Sequence, residues 1–395
     1  MSDNTVYRAS TTAPVNIAVI KYWGKRDAAL NLPTNSSLSV TLSQKSLKTH
    51  TTASCSASYT GADSLLLNDE PEDIQSNKRT QACLQLLKRF RHDIEVKNPS
   101  APKLSTMPLK LVSINNFPTA AGLASSAAGF AALVRAIANL YELPHTPTQL
   151  SLVARQGSGS ACRSLMGGYV AWRAGTARDG SDSIAEEIAP VSHWPNLKAL
   201  ILVVSADKKG VASTAGMQTT VETSTLFKTR AESIVPQRME EMEAAIHAKD
   251  FAKFAEITMR DSNSFHATCL DSWPPIHYLN DVSRAAMNAV ETCNRKAGKL
   301  IAAYTFDAGP NAVIYYEEEN EKLVAGVFRY VLQQVKGWEG EYGAQIPSNE
   351  QGGLEAKTVM TLKAGVSRVI CTGVGDGPER VEEHLVDDRG KPVRI

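Results

Sequence analysis

The sequence predicts a two-domain α+β protein, and three observations point that way. The chain has 395 residues, more than one core ordinarily organises and suited to two domains of nearly equal size. Its first half mixes short β-branched or alternating runs with two helical stretches, whereas its second half strings long helical patterns between strands. The third observation is the almost unbroken apolar run Leu197 to Val204, which a strand buried on both faces requires. The boundary falls just ahead of that run. It gives an N-terminal domain over 1–192 and a C-terminal domain over 193–395, with a tail after about 354 that can pack back on the first domain. Two domains imply a cleft between them.

In the first domain, Ser36 to Leu42 and Leu109 to Ile114 read as strands. A small-residue helix is expected from Ser126 to about Tyr141, with Pro144 shortly beyond its end. Thr146 as N-cap and Pro147 at the first helical position announce a second helix, which runs to Gln156 and stops at Gly157. Gly168 to Trp172 reads as a strand. In the second domain helical patterns cover Val235 to Ala248, Asp250 to Ser262 and Pro275 to Ala297, the last closed by Gly298. Lys299 to Phe306 and Ala312 to Tyr316 are expected as strands on either side of a turn that begins at Asp307. The Gly-rich stretch Lys336 to Gly353 reads as a long surface loop, and Ser367 to Thr372 as a strand. Helices on one face of mainly antiparallel sheet make this order α+β.

Hydrophobic residues make up 43% of the chain and charged residues 21%, the balance of a globular protein with a sizeable core. Forty-two basic against forty-one acidic residues leave a formal charge of +1. No global field therefore favours nucleic acid or an anionic membrane, and any anion site must be local. The six cysteines are dispersed, with no CxxC pair and no zinc-ligand spacing, and read as free thiols of a reducing compartment. The eight histidines form no metal or triad pattern. Met1 to Thr12 lacks the apolar core of about 7–15 residues that marks a signal peptide, and no run of about 18 apolar residues occurs. A cytoplasmic enzyme is the expectation.

Four segments can carry chemistry. From Pro118 through Gly122, Leu123, Ala124, Ser125 and Ser126, a small-residue turn runs directly into a helix. Small side chains let a phosphate approach the backbone, and the unpaired N–H groups and dipole of the first turn attract it. The plain alternative is a tightly packed Ala-rich helix with a serine cap. In the second segment, Asn16 to Arg26, a short apolar strand delivers Lys21, Tyr22, Lys25 and Arg26 within six positions, donors suited to a diphosphate or equally a solvated basic turn. The third holds Ser158 and Ser160 on glycine-flanked backbone, followed by Arg163, whose planar fork matches a carboxylate. A structural Gly/Ser turn is its alternative. Asp307, the fourth, sits between an apolar strand and a Gly-Pro turn, placed either to orient or deprotonate a hydroxyl or to cap its own turn.

Taken together and in this order, the segments resemble the GHMP small-molecule kinase superfamily, and in particular its mevalonate diphosphate decarboxylase branch. The matching pieces are Asn16 to Lys25, Pro118 to Gly129, Gly157 to Ser164 and Asp307 to Asn311. True kinases of the superfamily usually lack the Lys21-Tyr22-Trp23-Gly24-Lys25 run and carry a more glycine-rich phosphate loop. The resemblance implies a ribosomal protein S5 domain 2-like N-terminal domain, a ferredoxin-like C-terminal domain and a homodimer. It implies ATP and Mg2+ as cofactors and mevalonate 5-diphosphate as substrate. ATP phosphorylates the C3 hydroxyl, after which phosphate and CO2 depart to leave isopentenyl diphosphate. By the same resemblance, Pro118, Gly122, Leu123, Ala124, Ser125 and Ser126 hold the ATP phosphates. Tyr22, Lys25, Ser158, Ser160 and Ser213 hold the substrate diphosphate. Arg163 holds the carboxylate, Asp307 faces the C3 hydroxyl, and Lys21 stabilises the transferring phosphoryl group; the metal ligands are left unassigned. A kinase that stops after phosphorylation, and a non-catalytic ATP-binding relative, are the competing readings.

Overall fold

The computed structural model describes residues 5–117, 125–204 and 210–393. Among them the first half builds two larger sheets and a two-stranded ribbon of Lys25–Asp27 with Leu32–Pro33. One is six-stranded, in the order Glu379–Val381, Tyr7–Pro14, Lys48–Cys55, Leu109–Asn115, Ser64–Leu67, Glu70–Glu72, antiparallel except where Ser64–Leu67 runs beside Leu109–Asn115. The other has the order Ala185–Ala189, Tyr169–Trp172, Ser37–Thr41, Asn16–Ile20. The second half is framed by a single four-stranded sheet, Ala302–Phe306, Ala312–Glu317, Leu197–Val204, Val366–Gly373.

Leu197–Val204 is buried on both faces, as its unbroken apolar run requires. Ala199, Ile201 and Val203 join a core that also contains Ile17, Val40, Phe254 and Tyr315. Leu200 and Leu202 face a separate core with Ala289, Val290 and Ile314. The period of two along a strand makes every position apolar when both faces are covered. The first of these cores runs from strands of the first half to strands and helices of the second. It therefore fixes the strand end at Ile20 relative to the strand end at Phe306, and the candidate residues Lys21 and Asp307 follow those two ends.

The first half's own core lies between its six-stranded sheet and three helices, Lys78–Lys97, Ser125–Leu140 and Pro147–Gly157. Ala127, Ala128, Ala131 and Ala132 are fully buried, so the Ser125–Leu140 helix seats closely on the sheet. Thr146 and Gln149 form a reciprocal capping box at the start of the Pro147–Gly157 helix, which carries Pro147 in its first turn. Gly298 closes the Asp281–Ala297 helix in the left-handed conformation, with φ of 65°.

Three departures from the sequence reading have a clear physical cause. The Lys78–Lys97 helix was not expected, because the face it buries includes Arg91 and Glu95 among Cys83, Leu84 and Leu87. Arg91 donates to Glu95 at 3.0 Å and to the Tyr141 carbonyl at 2.9 Å, bonds that make a charged residue tolerable inside and that break the apolar period. The last long helix begins at Asp281 rather than Pro275, since Asn280 caps it by accepting from Ser283 N. The helix that starts after Asp250 continues to Leu270, because Phe265, His266 and Cys269 extend its buried face beyond Ser262. After Gly353 the chain first completes the second half through Ala356–Gly365 and Val366–Gly373. It then crosses over, placing Val381 opposite Ser10 and donating from Leu385 N to Thr52 Oγ1 at 2.8 Å.

Candidate active site

Lys21 is the first residue beyond the Asn16–Ile20 strand, so its main-chain N–H has no place in a ladder. Asp261, on the Phe251–Leu270 helix, accepts that N–H at 2.7 Å, and Asn35 Nδ2 donates to the Lys21 carbonyl at 3.0 Å. The side chain then runs through the interior, only 3% exposed, to place Nζ 2.7 Å from Asp307 Oδ1. Burial lowers the Lys21 pKa, and the neighbouring Asp307 carboxylate opposes the shift. Asp307 follows the Ala302–Phe306 strand directly and is partly exposed. An ion pair with one buried and one accessible partner suits a group that must meet a substrate.

Arg163 lies in the short helix Gly159–Leu165 and is buried. Its Nε donates to Ser39 Oγ at 3.0 Å and to Asn16 Oδ1 at 3.3 Å, and Nη1 donates to Ser37 Oγ at 2.5 Å. Nη2 carries no hydrogen bond among the described residues. Three neutral oxygens thus orient the guanidinium without neutralising it, and one edge remains for an anion. Asp307 and Arg163 both act electrostatically on Lys21, which gathers the three sequence-derived catalytic candidates into one neighbourhood.

A second group of donors lies alongside. The Tyr22 ring packs edge-on against Trp172, with centroids 4.7 Å apart, and its buried hydroxyl has no hydrogen-bond partner among the described residues. Burial raises the pKa of that phenol, keeping it a proton donor. Lys25 is half-buried, and burial together with the Arg79 charge pulls its pKa down to about 8. A lysine pulled down by a neighbouring guanidinium fits a site for a bound diphosphate. Ser126, Ser158 and Ser160 form a hydroxyl chain, with Oγ separations of 3.2 and 3.4 Å. Ser125 is the first residue of its helix, the end at which the helix dipole favours an anion. Pro118, Gly122, Leu123 and Ala124 lie outside the described residues.

Ser213 opens the Ser213–Thr223 helix, and the next residue, Thr214, accepts from Arg79 Nη2 at 3.3 Å. Trp23 is core: Nε1 donates to Thr220 Oγ1 at 3.0 Å and the ring meets Phe265 and Tyr278. Cys162 is likewise packing, its thiol pushed up to about 12 by burial. All six cysteines are buried and unbridged. Among the described residues no three His, Cys, Asp or Glu side chains gather at metal-binding distance.

Sequence reasoning missed Arg79, Asp261 and His266. Arg79 belongs to the unexpected Lys78–Lys97 helix, and Asp261 is hidden in a helical pattern where an acidic residue normally faces solvent. His266 is buried with its ring against Phe265 and against Phe306, the residue immediately ahead of Asp307.

Residues 13–185 match the family described as diphosphomevalonate decarboxylase-like N-terminal domain, and residues 199–381 match the mevalonate 5-diphosphate decarboxylase C-terminal domain. The chain is 65% identical to the diphosphomevalonate decarboxylase of Aspergillus fumigatus, over 98% of each chain. It is similar to an X-ray crystal structure of mevalonate 5-diphosphate decarboxylase, with 54% identity, a TM-score of 0.90 and coverage of 96% of this chain and 98% of that one. A further similar structure is that of MDDEF in complex with MVAPP, AMPPCP and magnesium, at 31% identity and a TM-score of 0.75, covering 96% of this chain and 100% of that chain. No helix among the described residues is long and apolar enough to cross a membrane.

Proposed function

The chain belongs to the mevalonate 5-diphosphate decarboxylase family, and on that premise we propose how its own residues carry out ATP-dependent decarboxylation of mevalonate 5-diphosphate. The observation that carries the reading is the Lys21–Asp307 pair, joined at 2.7 Å beside an arginine with one unused edge. Tyr22, Lys25, Arg79, Ser158, Ser160 and Ser213 hold the substrate diphosphate. Arg163 receives the carboxylate on its open edge, and its fork fixes the carboxylate plane. Ser125, Ser126 and the segment that includes Pro118, Gly122, Leu123 and Ala124 receive the ATP phosphates. A magnesium ion entering with ATP beside Ser125 and Ser126 would supply positive charge that offsets the phosphates.

Asp307 aligns the C3 hydroxyl and takes its proton as the oxygen bonds to the γ-phosphorus of ATP, whose bond to the ADP oxygen breaks. Lys21 lies where negative charge accumulates on the transferring group, and a fixed cation in a water-poor cleft acts there without reorganising. The C3–O bond then breaks with loss of phosphate. The electron pair of the bond to the carboxylate carbon becomes the new alkene, releasing CO2 and isopentenyl diphosphate. Arg163 must hold the carboxylate in line without quenching that push, which three neutral oxygen partners and a single cationic contact allow. Holding the reacting groups together can contribute roughly 7–11 kcal/mol in favourable systems.

Incubation with ATP, magnesium and each mevalonate phosphate, measuring ADP, phosphate and CO2 together, tests the reading. Equal yields of all three from mevalonate 5-diphosphate are expected; ADP without CO2 would make the chain a kinase. The working unit in this reading is a cytoplasmic homodimer, which sedimentation of the purified chain and cell fractionation would test.

A further inference from the structure

Asp261 is wholly buried, and a buried carboxylate persists only where charge and hydrogen bonds compensate for lost water. Here the compensation is complete. Oδ2 accepts from Lys21 N at 2.7 Å and from Arg230 Nη2 at 2.9 Å; Oδ1 accepts from Arg230 Nη1 at 2.9 Å and from Arg238 Nη1 at 3.0 Å. Two arginines would suffice to stabilise this anion. The Lys21 N–H is an addition that ties it to the strand end of the other half. Asn35, from the first half, holds the Lys21 carbonyl, so both main-chain polar groups of Lys21 are fixed by side chains, one from each half.

We propose that Asp261 is a positioning residue for Lys21, its buried carboxylate setting the main chain from which Lys21 reaches Asp307. The inference rests on the proposed reaction. Arg230 and Arg238 orient the carboxylate, and Asp261 passes that orientation to a residue in contact with the reacting groups. The side chain of Lys21 is too enclosed to recover its Nζ position by changing rotamer once its backbone moves. A misplacement of about 1 Å costs on the order of a hundredfold in rate when alignment carries the catalysis.

The test is a double-mutant cycle on the full chain, comparing Asp261→Asn, Lys21→Ala and the combined variant. Single-turnover ADP formation is followed with labelled ATP at high enzyme concentration, so that small residual rates are read, and the affinity for mevalonate 5-diphosphate is measured separately. Asp261→Asn alone should slow ADP formation by about 10–100-fold while leaving that affinity within about threefold. On the Lys21→Ala background it should cost less than about twofold, because the residue it positions is already gone. Asp261→Glu keeps the charge between the two arginines but displaces Oδ2. It is read in the same cycle where the asparagine variant does not fold, and the same non-additive pattern is expected. Additive losses, an unchanged rate, or affinity falling in step with rate would overturn the proposal, and Asp261 would be a structural ion pair only. CO2 release by the parent in the same runs separates the two ideas: its absence overturns the proposed reaction, whereas additive losses overturn only the role of Asp261.

Discussion

Lys21 and Asp307 stand 286 positions apart in the chain and meet at 2.7 Å, one side chain buried and the other partly exposed. Each leaves the end of a strand, and the two strands are locked together by a core that both halves share. The pair proposed to act in the reaction is thus set by packing rather than by a local motif, and its consequences can be measured.

Arg163→Lys should not rescue Arg163→Ala. A lysine ammonium cannot bond Ser37, Ser39 and Asn16 together while also presenting a planar edge to a carboxylate. Steady-state assay of both variants should show turnover reduced about tenfold or more. Near-parental decarboxylation by the lysine variant would mean that Arg163 supplies local charge and no fork.

Ser125→Ala should weaken the use of ATP. A hydrogen bond to a charged phosphate is worth about 1.5–3 kcal/mol, roughly ten- to hundredfold in kcat/KM for ATP. The helix N-terminus remains in the variant, so activity should survive at a reduced level. Unchanged constants for ATP would remove Ser125 from the site.

Lys25 should take up a proton when the diphosphate binds. Burial and the Arg79 charge bring its pKa down to about 8, and a bound anion should raise it again. At pH 8.5 the free protein carries Lys25 largely neutral and the complex carries it charged. Calorimetry in buffers of different ionisation enthalpy should reveal the uptake, and Lys25→Met should abolish it. A binding enthalpy independent of buffer for the parent would contradict this assignment.

His266 should make the fold acid-sensitive. Burial first, and then the Lys21 charge, lower its pKa from an ordinary 6.5 to about 3, and its Nε2 has no partner among the described residues. Between those values the unfolded chain binds a proton that the folded chain refuses. The stability linked to this group is therefore fully present above about pH 6.5 and is lost as pH falls towards 3, by up to ~1.4 kcal/mol per pH unit. Urea unfolding at pH 7.5, 6 and 5 should show a shallower decline for His266→Gln than for the parent. Parallel declines would show that another group sets the acid limit.

Much of the scaffold is legible wherever one local rule dominates. The Thr146 cap with Pro147, the left-handed Gly298 and the doubly buried Leu197–Val204 strand each follow from a few neighbouring residues. The Lys78–Lys97 helix is illegible because Arg91 and Glu95 interrupt its apolar face, and the partners that let them be buried, the Tyr141 carbonyl and Ser105, come together only in three dimensions. The same holds at the site. Lys21, Tyr22, Lys25, Arg163 and Asp307 stand in recognisable segments, but Arg79 and Asp261 acquire meaning only beside Lys25 and Lys21.

The central claim is that Asp307 serves the phosphorylation of C3 in a cleft that binds its ligands without it. The direct measurement is single-turnover release of ADP and CO2 by Asp307→Asn, with equilibrium binding of mevalonate 5-diphosphate and an ATP analogue determined on the same preparation. General-base assistance contributes about 10²–10⁴-fold, and loss of alignment adds to it. Both ligands should bind with near-parental affinity while ADP and CO2 release fall together at or beyond the upper end of that range. Substantial release of ADP and CO2 by the folded variant would contradict the claim and return Asp307 to the role of a turn residue.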